Sequence, residues 1–132
     1  MPRFRNSCYF VSSTQRNWTE ARTSCERHGG HLAVVNDAEE YTFLVQMIKT
    51  SDWFSFPVYW LGGYRPANSL ACKWVNSDDW AFVKLQQTIS LSNEEICLSI
   101  QKDLGYFSHL TDEDRRWIFV SCNNTLNYIC EI

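Results

Sequence analysis

Hydrophobic and polar positions change period near the middle of the chain. In the first half, Cys8-Tyr9-Phe10-Val11-Ser12 joins aromatic and β-branched residues ahead of a polar turn, which predicts a strand over 8–12. Trp18, Ala21 and Cys25 then fall at i, i+3 and i+7, on one face of a helix. Asn17 is placed to cap that helix, and Glu20 stands three residues on, the capping-box spacing. Gly29-Gly30 predicts its end, because glycine adopts the left-handed conformation that closes a helix. His31 to Val35 reads as a short extended piece. Asn36, with Glu39 three residues later, predicts a second helix whose Tyr41, Leu44, Val45 and Ile48 form a buried stripe.

Beyond that helix the 3.6-residue period is lost. Val58 to Gly63 reads as a buried strand broken by glycines, and Cys72 to Val75 alternates like a half-exposed one. Asn76 to Asp79 is a turn. Ile96 to Ile100 is a strand, and Trp117–Cys122 and Leu126–Glu131 are two more, with Asn123-Asn124-Thr125 between them as a hairpin signal. Residues 80–96 and 101–116 carry no sustained period and predict long loops. The expectation is one α+β domain over 1–132: two helices, then short, mostly antiparallel strands with long loops.

Composition narrows the class. The 132 residues are 45% hydrophobic and 20% charged, ample for a core. Aromatics reach 15%, and large rings stock recognition surfaces as well as cores. A net charge of −3 argues against nucleic acid, which needs a concentrated basic field. No run approaches the roughly 20 apolar residues of a membrane span. Met1 to Ser7 contains no apolar signal core, which suits a trimmed chain or a mature start carrying an added Met.

Six cysteines, at 8, 25, 72, 97, 122 and 130, include no C-x-x-C pair. An even count without zinc spacing favours disulfides and an oxidising, extracellular compartment. Two glycosylation triplets agree, at Asn17-Trp18-Thr19 and Asn123-Asn124-Thr125. The chain has no G-x-S-x-G, H-E-x-x-H, P-loop or dinucleotide fingerprint, so no enzyme and no cofactor are expected. His28 and His31 flank two glycines without further metal ligands, and Asp78-Asp79 reads as a turn. Asp112, Glu113 and Asp114 beside Arg115 and Arg116 read as a solvated loop of mixed charge.

The ordered pieces resemble the C-type lectin-like domain over nearly the whole chain. The residues that carry the resemblance are Cys8-Tyr9-Phe10; Trp18, Ala21 and Cys25; Gly29 to Val34; Trp60-Leu61-Gly62-Gly63; Trp74 with the Asn76–Asp79 turn; Cys97 to Ile100; Trp117 with Cys122; and Tyr128 to Glu131. Gly63 departs from the family's Trp-Ile-Gly-Leu strand and removes one apolar side chain from the core. The resemblance implies two bridges, Cys25–Cys130 and Cys97–Cys122. Cys8 matches the second cysteine of an optional N-terminal hairpin whose partner would lie upstream of Met1. Cys8 therefore stands alone, pairs with Cys72, or one of the two bridges to another chain, giving a homo- or hetero-dimer.

Many relatives of this kind bind sugars through calcium, which needs six to eight oxygen ligands. The family draws them from a Pro-centred triplet in the long loop, a Glu before the third-strand cysteine, and a Trp-Asn-Asp triplet. Residues 80–96 contain no proline, Glu95 matches the lone Glu, and the third triplet reads Trp117-Ile118-Phe119. The ligand count fails, so no metal is expected. The expected function is recognition outside the cell by a calcium-independent, carbohydrate-binding lectin. The alternative is a cell-surface protein ligand, as in natural-killer-receptor-like members. Candidate ligand-binding residues are Trp80, Phe82, Glu95, Tyr106, Phe107, His109 and Trp117, on long loops where recognition is usually built. For Trp80 and Phe107 the other reading, a ring that merely covers the core, stays open.

Overall fold

A computed structural model describes residues 2–50, 58–85, 93–102 and 115–132. The chain opens with a hairpin that periodicity did not reveal. Strand β1 (Arg3–Phe4) pairs antiparallel with β2 (Ser7–Val11), turning at Arg5, whose φ is 54°. Helix α1 (Trp18–Arg27) starts as its sequence predicts. The Glu20 backbone N–H donates to Asn17 Oδ1 at 2.9 Å, and the Asn17 N–H donates to Glu20 Oε1 at 3.3 Å. Its buried face is Trp18, Ala21 and Cys25. Gly29 closes it at φ 85°, the left-handed conformation expected there.

After β3 (His31–Leu32), helix α2 (Ala38–Thr50) begins one residue later than its predicted cap allows. The cap is Asp37, whose Oδ1 accepts from the Glu40 N–H at 2.9 Å. The Glu40 carboxylate reaches back to accept from the Asn36 N–H at 3.1 Å. Asn36 instead sends its side-chain amide to Asp78 Oδ2 at 2.9 Å and ties the helix entry to the turn at 76–79. Both residue types cap well, so their adjacency hid the start.

The remaining strands are β4 (Val58–Arg65), β5 (Lys73–Trp74), β6 (Ile96–Gln101), β7 (Trp117–Ser121) and β8 (Asn127–Glu131). They order as β1-β2-β8-β4-β6-β7, with β3 on β8 and β5 on β4. All pairs are antiparallel except β4 with β8, which run parallel through Tyr59↔Asn127 and Trp60↔Tyr128. This corrects the predicted hairpin between the last two strands. A turn does form, with the Asn124 N–H donating to Ser121 O at 3.2 Å. Yet β4 and β6 lie between β7 and β8, so the turn starts a crossing rather than a fold-back. What draws β8 away is non-local: Leu126 pairs with Arg16, and Cys130 is bonded to Cys25.

Alternation along β4 divides the core. Tyr59 and Leu61 join α2 residues Tyr41, Leu44, Val45 and Ile48 in one apolar cluster, with Leu98, Ile100 and Trp117. Trp60 faces the other way and joins Trp18, Ala21, Leu32 and Tyr128 in a second. The bridges Cys25–Cys130 and Cys97–Cys122 are formed, with Cα atoms 5.4 and 5.1 Å apart. Cys8 and Cys72 are free thiols, both half-buried, and are not bonded to each other.

Candidate functional site

Residues 80–85, predicted as plain loop, run extended beside β7. The Trp117 N–H donates to Lys84 O at 2.9 Å, and Leu85 pairs with Trp117 in parallel. An extended chain sends alternate side chains to opposite sides. Trp80, Phe82 and Lys84 therefore turn inward while Ala81 and Val83 face solvent. The same alternation on β7 puts Trp117 and Phe119 on one face.

These two alternations build one aromatic assembly. Trp117 is its hub, 0% exposed, with ring centroids 5.5 Å from Trp74, 5.7 Å from Trp80, 5.9 Å from Phe82 and 6.2 Å from Tyr41. Trp80 lies on top, 4.6 Å from Trp74 and stacked on Phe119 at 6.1 Å and 27°. Gly63 explains how Trp80 gets so close. A Cβ on Gly63 would meet Leu98 Cδ2 at 2.8 Å and Trp80 Cζ3 at 3.1 Å. The indole thus packs over the place where the resembling strand has a leucine, and the expected gap in the core is covered from the loop.

The predicted site residues separate into groups. Trp80 and Phe82 come together and remain partly exposed. Trp117 supports both from beneath, and its burial leaves no surface for a ligand. Glu95 is exposed ahead of β6, which pairs Ile96 with Ser121, so it stands at the end of the ladder remote from Trp117. Tyr106, Phe107 and His109, and the acidic run 112–114, lie outside the described residues. Lys84 was not singled out from sequence, and Phe119 only as an apolar residue at a calcium-ligand position, not as part of a binding surface. The signal that could have found them is two-residue alternation, of Trp80, Phe82 and Lys84 in one segment and of Trp117 and Phe119 in the other.

Calcium finds few donors here. Glu95 lies near the sulfurs of Cys97 and Cys122, with ligand atoms within 4.8 Å of one another, but those sulfurs are bonded and offer no thiolate. Ile118 is buried and Phe119 stacks on Trp80, so both positions are apolar. Asp78 is occupied by the Asn36 and Asn76 amides, each at 2.9 Å. His28 and His31 donate from Nδ1 to the carbonyls of Ser24 and Leu32 at 2.8 and 2.7 Å, as structural groups. Among the described residues, no set of hard oxygens converges as calcium requires.

The family model described as "Lectin C-type domain" matches residues 14–132. The chain belongs to the C-type lectin family. This lectin-type domain is 28% identical over 132 residues to a perlucin-like protein of Mytilus galloprovincialis, covering 97% of the chain and 78% of that protein. It is 30% identical over 131 residues to regenerating islet-derived protein 3-gamma of Mus musculus, covering 94% and 70%. A killer cell lectin-like receptor of subfamily B, member 1B allele B, of Mus musculus is 27% identical over 124 residues, covering 94% of the chain and 52% of that receptor. Human lithostathine superposes with a TM-score of 0.81 at 18% identity, covering 99% and 95%. SPL-1 in complex with GlcNAc superposes with a TM-score of 0.78 at 23% identity, covering 98% and 89%. Likeness at these identities supports the shared fold of the lectin-type domain. No helix among its described residues is long and apolar enough to cross a membrane.

Proposed function

We propose that this domain is an extracellular, non-enzymatic recognition module that binds carbohydrate without calcium through the edge formed by Trp80, Phe82 and Phe119. The observation that carries the reading is the Trp80–Phe119 stack, which puts an aromatic surface where the resemblance has calcium ligands. A sugar's C–H face packs on such rings, while hydroxyl groups take hydrogen bonds from the rim. The SPL-1–GlcNAc complex shows a relative of the same fold with a sugar bound. Two disulfides suit an oxidising compartment. Asn17 and the exposed Asn123 are the proposed glycosylation sites, and Tyr106, Phe107 and His109 remain candidates on sequence grounds.

One observation favours a protein ligand instead. Val83 is 41% exposed next to Phe82, on the solvent-facing side of the segment, and an exposed apolar side chain there suits a protein surface. The likeness to a killer cell lectin-like receptor points the same way. A glycan array probed with crosslinked protein, with and without chelator, separates the readings, because crosslinking offsets the weakness of a single shallow site. Sugar binding that survives chelation is the expected result. Binding abolished by chelation, or silence across the array, overturns the proposal, and silence moves the weight to a protein partner.

A further inference from the structure

We propose a second ligand site, an anion-binding cleft between α2 and the 80–85 segment, that takes the sulfate or carboxylate group of an acidic saccharide. The cleft has a volume of about 280 Å³ and is lined by one stripe of α2, including Tyr41, Thr42, Gln46 and Lys49, with Lys84 and Arg116 opposite. Small-molecule sites usually run from about 300 Å³ upward, so it suits one sugar unit better than a bare ion.

Three cations meet there. The Lys84 ammonium lies 5.5 Å from the Tyr41 ring centroid and 5.6 Å from that of Phe82, which holds it over the rings without cancelling its charge. Arg116 is only 7% exposed. Its Nη1 donates to the carbonyls of Gln101 at 3.3 Å and Lys102 at 2.8 Å, and its backbone N–H donates to the Tyr41 hydroxyl at 3.2 Å. Carbonyls satisfy hydrogen bonds but supply no counter-charge, and a guanidinium has further donors in its fixed fork. Lys49, in the last turn of α2, is exposed. Among the described residues no carboxylate lines the cleft, and their ion pairs involve Arg5 and Arg22 instead. Such a concentration of positive charge stands out in a chain of net charge −3.

A buried guanidinium without a carboxylate is costly unless an anion completes it. Tetrahedral and planar oxyanions both match the fork of arginine. The Thr42 hydroxyl and the Gln46 amide beside the cations are of the kind that meets neutral sugar hydroxyls. That the anion is carried on a saccharide rests on the carbohydrate reading above; the anion site itself does not.

The test is an NMR titration of the intact domain with four probes: a sulfated heparin-derived disaccharide, its fully desulfated form, its desulfated and carboxyl-reduced form, and inorganic sulfate. The sulfated disaccharide should shift amides between Ala38 and Lys49 and near Lys84, with weaker binding as salt rises. The desulfated probe separates carboxylate from sulfate recognition, and the fully neutral one should not bind. The double variant Lys49→Gln, Lys84→Gln, at sites that leave the core intact, should weaken binding by about tenfold or more, as loss of charge-assisted hydrogen bonds implies. Unchanged binding in that variant, or equal binding of the neutral probe, overturns the site. Inorganic sulfate binding as tightly as the disaccharide overturns the saccharide carrier alone. Loss of neutral-glycan binding on substitution of Trp80 belongs to the other site and leaves this titration unchanged.

Discussion

At the scale of single residues, the most informative pair is Gly63 and Trp80. The missing leucine is visible in the sequence, but its replacement is not. Seventeen positions separate the two residues, and no period links them. Only the fold brings the indole to Gly63, and the close approach then disfavours any side chain at that position. Gly63→Ala forces its methyl against Leu98, a fully buried side chain, and against the Trp80 ring. We expect a loss of about 1–3 kcal/mol in chemical denaturation, the usual cost of overpacking, together with altered Trp fluorescence. A variant as stable as the parent would show that Trp80 does not sit there. The same packing changes what Trp80→Ala should do. The ring touches Trp74, Trp117 and Phe119, so its removal should lower the melting temperature as well as glycan affinity. Phe82→Ala, at the edge of the same surface, gives up ring packing on Tyr41 and Trp117 but leaves Trp80 stacked between Trp74 and Phe119. It should weaken glycan binding by about 1–3 kcal/mol with a smaller loss of stability than Trp80→Ala.

At the scale of elements, local chemistry was legible and long-range pairing was not. The α1 cap and its glycine end are encoded within a dozen neighbouring residues, and they form as read. The α2 cap shifted by one, from Asn36 to Asp37, because two good caps are adjacent. The hairpin between β7 and β8 failed because strand partners are chosen by β4 and β6, far away in sequence. Asp37 makes the shifted cap testable. The Glu40 backbone N–H, and then the Arg5 guanidinium, hold its carboxyl below the usual carboxylate range. A lowered pKa in the folded state stabilises the protein above the ordinary carboxylate value, and that contribution is lost as pH falls through the range below it. Glu40 acts in the opposite sense. Burial raises its pKa, so its charge opposes folding near neutrality and protonation relieves this as pH falls. At neutral pH, Asp37→Ala should cost about 1 kcal/mol, the value of a helix cap. Asp37→Asn should cost less, since asparagine also caps, and its deficit should shrink once pH drops below about 4. Urea titrations across pH check both, and a larger loss for Asn36→Ala than for Asp37→Ala would restore the cap to Asn36.

For the whole molecule, what holds the ends together also decides how the binding edge must be stabilised. Cys25–Cys130 closes a separation of 105 residues and Cys97–Cys122 one of 25. On the chain-entropy model these constrain the unfolded state by about 4–5 and ~3 kcal/mol. The ordered cysteines, tryptophans and glycines made the fold legible, because each fixes a staple, a core volume or a chain reversal. The site was legible only in part: Trp80 and Phe82 could be named, but not that Trp117 lies beneath them or that Phe119 completes the surface. In that arrangement the 80–85 segment is held by ring packing and by the Lys84–Trp117 backbone hydrogen bond. On the proposed metal-free reading these contacts suffice to order it, and the thermal stability of the domain should be indifferent to calcium. A ligand that binds only the native state stabilises it by RT times the logarithm of one plus the ratio of its free concentration to its dissociation constant. At a hundredfold excess over its dissociation constant, calcium would add about 2.7 kcal/mol, raising the melting temperature by on the order of 10 °C for a domain of this size. Calorimetry in millimolar calcium and in chelator should therefore superimpose. A rise of several degrees with calcium would mean that oxygens outside the described residues join Glu95 in a site, and the aromatic edge would then lose its claim to replace the metal.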